Sequence, residues 1–372
     1  MPEEKVTLVI FEGGQARTEL DELLIAIRKA VTLDTMTKAL AAPGLDQVLL
    51  CTNYRDLARE AAELGVLVDF SLEPFHFGRR LAGIIVKYGL EKVIYMGGVS
   101  APLLQPEDLT SMAQTLREQK HVVLVNNVQS ADLVAFTPAQ MALQIPPPEN
   151  DNSLGYLLRE AGLTRLLIPN SPRINFDLDT PTDMMILALQ PDCGPRAGAL
   201  LRNLDWDYSR LKRAREVLKQ TAAEVVIAGR VGAPIMTYIN SNFPLRLRVY
   251  SEERGMKALG REERGEVVSL LGFHLDRVGP AGFFADLAQL AQAVFLDSRV
   301  LFAHWKKAVS EWDRFHSDLG RYDVIRDEKV REFTRAAVSA KMPVVLGGHS
   351  LVSGGLWLLA ESVVREREVR LS

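Results

Sequence analysis

Short apolar runs alternate with longer amphipathic stretches through the first third of this chain, and that alternation restricts it to few folds. Residues 6–11, 46–52, 66–70, 92–96 and 121–125 read as strands. Residues 19–31, 54–64, 77–88 and 106–119 read as the helices between them, with Gly89 closing the third. Parallel neighbours need a crossover of about a dozen residues or more, and helices of this length supply it. The fold class expected is α/β, with a mostly parallel, Rossmann-like three-layer sheet whose ligand crevice lies beyond the strand C-termini.

The rhythm changes after Asp192-Cys193-Gly194-Pro195, and 372 residues give room for about two domains. We expect a first domain over 1–195, a connecting helical segment over 196–222, and a mainly helical α/β C-terminal domain over 223–372. In the last, 225–232 reads as a strand entering a glycine turn, and 245–250 and 342–346 as further strands. Residues 282–293, 297–310 and 328–340 read as helices.

Three segments carry candidate chemistry in the first domain. Glu12-Gly13-Gly14-Gln15 and Gly97-Gly98-Val99-Ser100 follow strands, and their glycines let backbone amides approach a phosphate or simply make tight turns. Neither is a G-x-G-x-x-G fingerprint or a G-K-[ST] phosphate loop. The third is Asp177-Leu178-Asp179-Thr180-Pro181-Thr182-Asp183. Here Thr180 fits an N-cap, Pro181 the first helical position and Asp183 the acid of a capping box. Asp177 and Asp179 are not needed for the cap. In an extended segment both turn to one side, where they would form a seat for Mg²⁺. Asn127 and Asp132 border the same groove and suit ribose or substrate, although turn formation explains Asn126-Asn127 equally.

Near the end, Gly347-Gly348-His349-Ser350-Leu351-Val352-Ser353-Gly354-Gly355 joins a strand to a helix. Gly348, His349, Ser350 and Ser353 form a possible second anion site, and a tight packing crossover or subunit contact is the alternative. Net charge of −3 gives no general attraction to nucleic acid, and two cysteines make neither a disulfide framework nor a thiolate metal site. The N-terminal residues lack the basic start and cleavage region of a signal peptide, and no apolar run spans a bilayer. The expectation is a cytoplasmic protein with a small-molecule substrate, no nucleic-acid or membrane partner, and room for a homodimer.

The order and spacing of Phe11-Glu12-Gly13-Gly14, Gly97 to Leu104 and Asp177 to Asp183 resemble the nucleotidyltransferase superfamily with a GT-A-like fold. That superfamily includes the molybdenum-cofactor and 2-phospholactate nucleotidyltransferases, and the likeness covers the first half of the chain. It implies an NTP as substrate, with Mg²⁺ held by Asp177 and Asp179 as catalytic and metal residues. Gly13, Gly14 and Arg17 would meet the nucleotide, and Gly98 and Ser100 the acceptor. The metal-binding Asp that normally precedes Pro-Leu-Leu is replaced by Val99-Ser100, and Glu12 puts a carboxylate in the phosphate loop. The implied activity is Mg²⁺-dependent transfer of NMP to a phosphorylated or carboxylated small molecule. The alternatives are a catalytically weakened nucleotide- or metabolite-binding regulatory protein, or a sugar-phosphate-binding protein using the C-terminal glycine turn.

Overall fold

The computed structural model describes residues 4–371. Along the first half run β1 (Val6–Glu12), α1 (Glu19–Leu40), β2 (Gln47–Thr52), α2 (Arg55–Glu63), β3 (Leu67–Phe70), α3 (Phe77–Tyr88) and β4 (Lys92–Gly97). They are followed by α4 (Pro106–Glu118), β5 (Val122–Val125), β6 (Leu133–Thr137), α5 (Leu154–Glu160), β7 (Thr164–Leu167) and α6 (Pro172–Asn175). The seven strands form one sheet in the order β3-β2-β1-β4-β6-β5-β7. Only β6 runs antiparallel to its neighbours β4 and β5. The mostly parallel α/β expectation holds for this sheet.

Period-two alternation along the strands explains the three layers. Leu8, Ile10, Ile94 and Met96 pack with Leu33, Met36, Leu57 and Leu109 of α1, α2 and α4. Val9, Val93, Tyr95 and Phe136 point the other way, to Phe77, Leu81 and Leu158 of α3 and α5. Cys51 belongs to this second layer, and burial pushes its thiol up to about 12, as befits a small core residue rather than a nucleophile. The first helix outruns its expected end at residue 31. It continues to Leu40 because Leu33, Met36 and Ala39 prolong the apolar stripe.

Beyond α6 lie α7 (Pro181–Ala188), α8 (Pro195–Leu201), α9 (Ser209–Leu218), β8 (Glu224–Gly229), α10 (Ala233–Asn242) and β9 (Arg246–Ser251). The chain ends with α11 (Leu270–Leu290), β10 (Ala293–Asp297), α12 (Ser298–His304), α13 (Glu311–Leu319), α14 (Glu328–Val338), β11 (Val344–Gly347) and α15 (Gly354–Leu371). Two compact units emerge: Met1–Asn175 with Gly194–Leu200, and Phe176–Cys193 with Leu201–Ser372. The segment Phe176–Cys193, assigned by sequence to 1–195, therefore packs within the second unit.

The second unit is built on a fully parallel sheet of order β11-β10-β8-β9. Strand β10 corrects the sequence reading, which ran 282–293 and 297–310 as helices and left no strand between them. Val294 and Leu296 bury against Phe283, Phe284 and Leu287 of α11 and Phe333 of α14, so tertiary packing decides this segment. Helix α12 then stops at His304 instead of reaching residue 310.

Candidate functional site at two sheet edges

In the first sheet β1 lies between β2 and β4, so connections leave it in opposite directions. A ligand crevice is expected at such a switch point, beyond the strand C-termini. Glu12 stands there with a side-chain exposure of 0%, turned inward, its Oε1 3.1 Å from Nη2 of Arg28. Burial pushes its carboxyl above the ordinary range, and Arg28 and Lys29 only partly oppose that shift.

Gly98 fits because it has no side chain. A Cβ there would stand 2.5 Å from Thr32 Oγ1 and 2.6 Å from Glu12 Oε2. Its N–H donates to the Phe11 carbonyl at 2.9 Å, so close packing employs this amide. Gly13 and Gly14 are exposed, and Gly14 N–H donates to Asn53 Oδ1 at 3.1 Å while Asn53 Nδ2 donates to the Gly14 carbonyl at 2.9 Å. Arg17 is exposed just before α1. Ser100 is buried, its N–H donating to Gly97 O at 3.1 Å. Asn127 Oδ1 accepts from Gln129 N at 3.0 Å, an Asx-type turn. Asp132 donates its N–H to Asn126 Oδ1 at 3.2 Å. Beside the loop, a groove of about 620 Å³ runs along α1, lined among others by Ala16, Lys29, Tyr54, Asp56 and Arg196. Lys29 pairs with Asp56 at 2.8 Å and lies 4.3 Å over the Tyr54 ring.

The second unit repeats the switch-point logic. Strand β8 sits between β9 and β10, and all strands end at one edge. Gly229 ends β8 with φ of +115°, and a Cβ there would approach Asp297 Cβ to 2.4 Å. Asp297, fully buried at the end of β10, takes Nε of Arg230 at 2.6 Å and Nη2 at 3.1 Å. Burial works to raise its pKa, but Arg230 outweighs that and holds the carboxyl below its ordinary range. Next to it Arg299 forks onto Asp318, both contacts at 2.6 Å.

Strand β11 leads into the glycine turn at the same edge. His349 is driven down to about 4 by burial and by Arg230 and Arg254, against Asp297 and Asp179, and is neutral at pH 7. Ser350 Oγ accepts from Asp177 N–H at 3.1 Å. Ser353 Oγ donates back to the His349 carbonyl at 2.9 Å, so this hydroxyl closes the turn. Three of the glycines are set by packing. Added Cβ atoms would meet Leu351 Cδ2 at 2.9 Å from Gly347, Thr180 Cγ2 at 3.1 Å from Gly348 and the Ser350 carbonyl at 2.9 Å from Gly355.

Phe176 and Leu178 are buried while Asp179 is exposed and Asp177 partly so, the period-two pattern of an extended segment. Thr180 caps α7, its Oγ accepting from Asp183 N–H at 3.3 Å. Asp183 is fully buried, and its Oδ2 accepts from Asp179 N–H at 3.2 Å and Thr180 O–H at 2.7 Å. Burial, with the Asp179 charge beside it, pushes the Asp183 carboxyl well above its ordinary range.

As a metal seat, Asp177 and Asp179 offer two carboxylates, and Asp177 Oδ1 already accepts from Leu178 N–H at 3.0 Å. Among the described residues no group of three or more His, Cys, Asp or Glu side chains converges as metal donors. Such a pair suits Mg²⁺ only when phosphate oxygens and water complete its shell. A resident metal centre does not fit.

The sequence candidates thus divide between the units. Gly13, Gly14, Arg17, Gly98, Ser100, Asn127 and Asp132 belong to the first, and Asp177, Asp179, Gly348, His349, Ser350 and Ser353 to the second. Sequence reasoning missed Arg230, Arg254, Asp297, Arg299 and Asp318 as parts of one edge. The only local signal was a polar residue directly behind an apolar run, as in Ala228-Gly229-Arg230 and Phe295-Leu296-Asp297.

No family model and no curated protein matches the sequence. Several solved structures are similar over about half of the chain. A nucleotidyl transferase from Methanothermobacter thermautotroptrophicus shares 15% identity at a TM-score of 0.41, covering 54% of this chain and 99% of that one. A cytidylyltransferase from Leptospira borgpetersenii serovar Hardjo-bovis shares 16% at 0.40, covering 54% and 93%. CMP:2-keto-3-deoxy-manno-octonic acid synthetase, solved with CTP, shares 17% at 0.36, covering 48% and 94%. Likeness at this level describes neither a substrate nor a site for this chain. Among the described residues no helix is long and apolar enough to cross a membrane.

Proposed function

We propose that the first unit binds a nucleotide at the β1/β4 edge, as a weakened member of the nucleotidyltransferase type. One observation carries the reading: Glu12, the residue that would repel phosphate, is turned inward onto Arg28, leaving Gly13 and Gly14 exposed at the switch point. The groove along α1, with Lys29 and Arg196 in its lining, gives the rest of a nucleotide room. Binding is favoured over catalysis because β4 is followed by Gly98-Val99-Ser100, so this loop brings no carboxylate of its own to hold a metal against the triphosphate.

Mg²⁺-dependent transfer of NMP to a phosphorylated or carboxylated acceptor is the second reading. It is favoured by Asp177 and Asp179 sharing one side of an extended segment. Mg²⁺ would then enter as part of the MgNTP substrate, and the acceptor's own oxygen would attack the α-phosphorus and expel pyrophosphate. Calorimetric titration with each NTP, with and without Mg²⁺, tests binding, and pyrophosphate release over a panel of acceptors tests transfer. Saturable NTP binding without pyrophosphate release supports the first reading. Release that is lost in Asp179→Ala supports the second, and no NTP binding at millimolar concentration overturns both.

A further inference from the structure

We propose that the C-terminal edge of the second sheet, where β8, β10 and β11 end, binds the phosphate group of a small hydroxylated molecule. The topology nominates the place, because the switch point between β8 and β10 carries Gly229, Arg230 and Asp297. What marks it as an anion site is a surplus of donors. The carboxylates of Asp297 and Asp318 are already taken by Arg230 and Arg299. Arg254, which follows β9, has no ion-pair partner among the described residues, and its Nε is buried with no acceptor. Arg314 Nε and Arg210 Nη1 are buried without acceptors too. Arg314 nevertheless pairs with Glu311 at 3.8 Å, and Arg210 donates from Nη2 to the Leu319 carbonyl at 2.8 Å, so each is partly engaged where Arg254 is not.

Buried guanidinium N–H groups are seldom left unpaired, and each one calls for an ion or water. Phosphate oxygens match the arginine fork in charge and geometry. Arg254 is the ligand-seeking charge, since its counter-ion is the one missing. Arg230 is a positioned charge, locked by Asp297. His349, a neutral imidazole in the glycine turn at the same edge that feels both charges, donates from one ring nitrogen and accepts at the other, which suits a hydroxyl or a phosphate ester oxygen. Asp179 is exposed beside this cluster and offers an acceptor to ligand hydroxyls. This site belongs to the second unit and does not depend on nucleotide binding by the first.

The test is calorimetric titration of the full chain with inorganic phosphate, glucose 6-phosphate, glucose and ATP, in the parent and in Arg254→Gln. Saturable binding of glucose 6-phosphate, absence of glucose binding, and a loss of about tenfold or more in Arg254→Gln are expected. Because Arg254 holds nothing in the free protein, its thermal midpoint should stay unchanged, and Arg254→Lys should recover part of the affinity. ATP binding should be untouched by Arg254→Gln. Equal affinity of parent and variant, no phosphate binding at millimolar concentration, or a parallel loss of ATP affinity would each overturn the proposal.

Discussion

The guanidinium of Arg230 grips both carboxylate oxygens of Asp297, at 2.6 and 3.1 Å, joining the ends of two neighbouring parallel strands. Both residues are buried, so neither charge can return to water when the other is removed. Arg230→Met should therefore destabilise the second unit by about 3–5 kcal/mol, the usual penalty for an orphaned buried charge. Arg230→Met combined with Asp297→Leu should recover part of it, because the orphaned charge is gone although the Arg230 and Arg299 backbone N–H groups lose their acceptor. Denaturant unfolding of the two variants measures this, and a double variant no better than the single one would contradict it.

Gly229 is the backbone half of the same arrangement. Alanine there meets two penalties, the +115° φ and a Cβ at 2.4 Å from that of Asp297. Gly279 has a φ of +71° with nothing within 4 Å, so alanine there meets strain alone. Gly279→Ala is expected to cost about 1 kcal/mol and Gly229→Ala at least ~2 kcal/mol, with displacement of Asp297 as the cause of the excess. Equal losses at the two glycines would show that crowding against Asp297 is unimportant.

These contacts show where sequence reading stops. The alternation from Val6 to Val125 was legible because the strands are short, mainly apolar runs and the helices between them carry their own stripe or cap. The start of α7 was legible for the same local reason: Thr180 does cap Asp183 N–H. Strand β10 was not, since Ala293-Val294-Phe295-Leu296 continues the apolar run of α11 without a glycine or proline between them. Missing β10 hid Asp297 and its partner Arg230, which lies 67 residues away in sequence. The surroundings of Asp179 were also beyond reach. Extended geometry aligns the two carboxylates, but only long-range contacts such as Thr182 Oγ1 to the Leu346 carbonyl, 2.6 Å, decide which core anchors them.

His349 gives the second unit a definite pH dependence. Its folded value of about 4 lies below the ordinary 6.5, with burial the first cause and the charges of Arg230 and Arg254 following. Between those values the unfolded chain binds the extra proton, so stability is fully present above pH 6.5 and falls as pH drops toward 4. His349→Gln should flatten the slope over that window by about one proton. Unfolding midpoints at half-unit pH steps would show it, and an unchanged slope would mean that His349 titrates normally in the fold.

Glu12 has the opposite sign and bears on the proposed nucleotide site. Burial raises its pKa above 4.5 despite Arg28, so the folded state holds its proton more tightly than the unfolded chain does. Its stabilising contribution is complete below pH 4.5 and is lost as pH rises through the folded value. Glu12→Gln keeps the shape and an acceptor for Arg28 while removing the charge. The variant should therefore gain on the parent as pH climbs from 4 to 8. Nucleotide affinity separates two geometries in the same protein. If Glu12 is turned away from the Gly13-Gly14 loop, removing its charge should change NTP binding by less than about twofold. A carboxylate lying in the path of the triphosphate would instead give a gain of about tenfold or more on neutralisation. Paired measurements on Glu12→Gln, stability against pH and NTP titration at pH 8, therefore show whether the loop is open to phosphate.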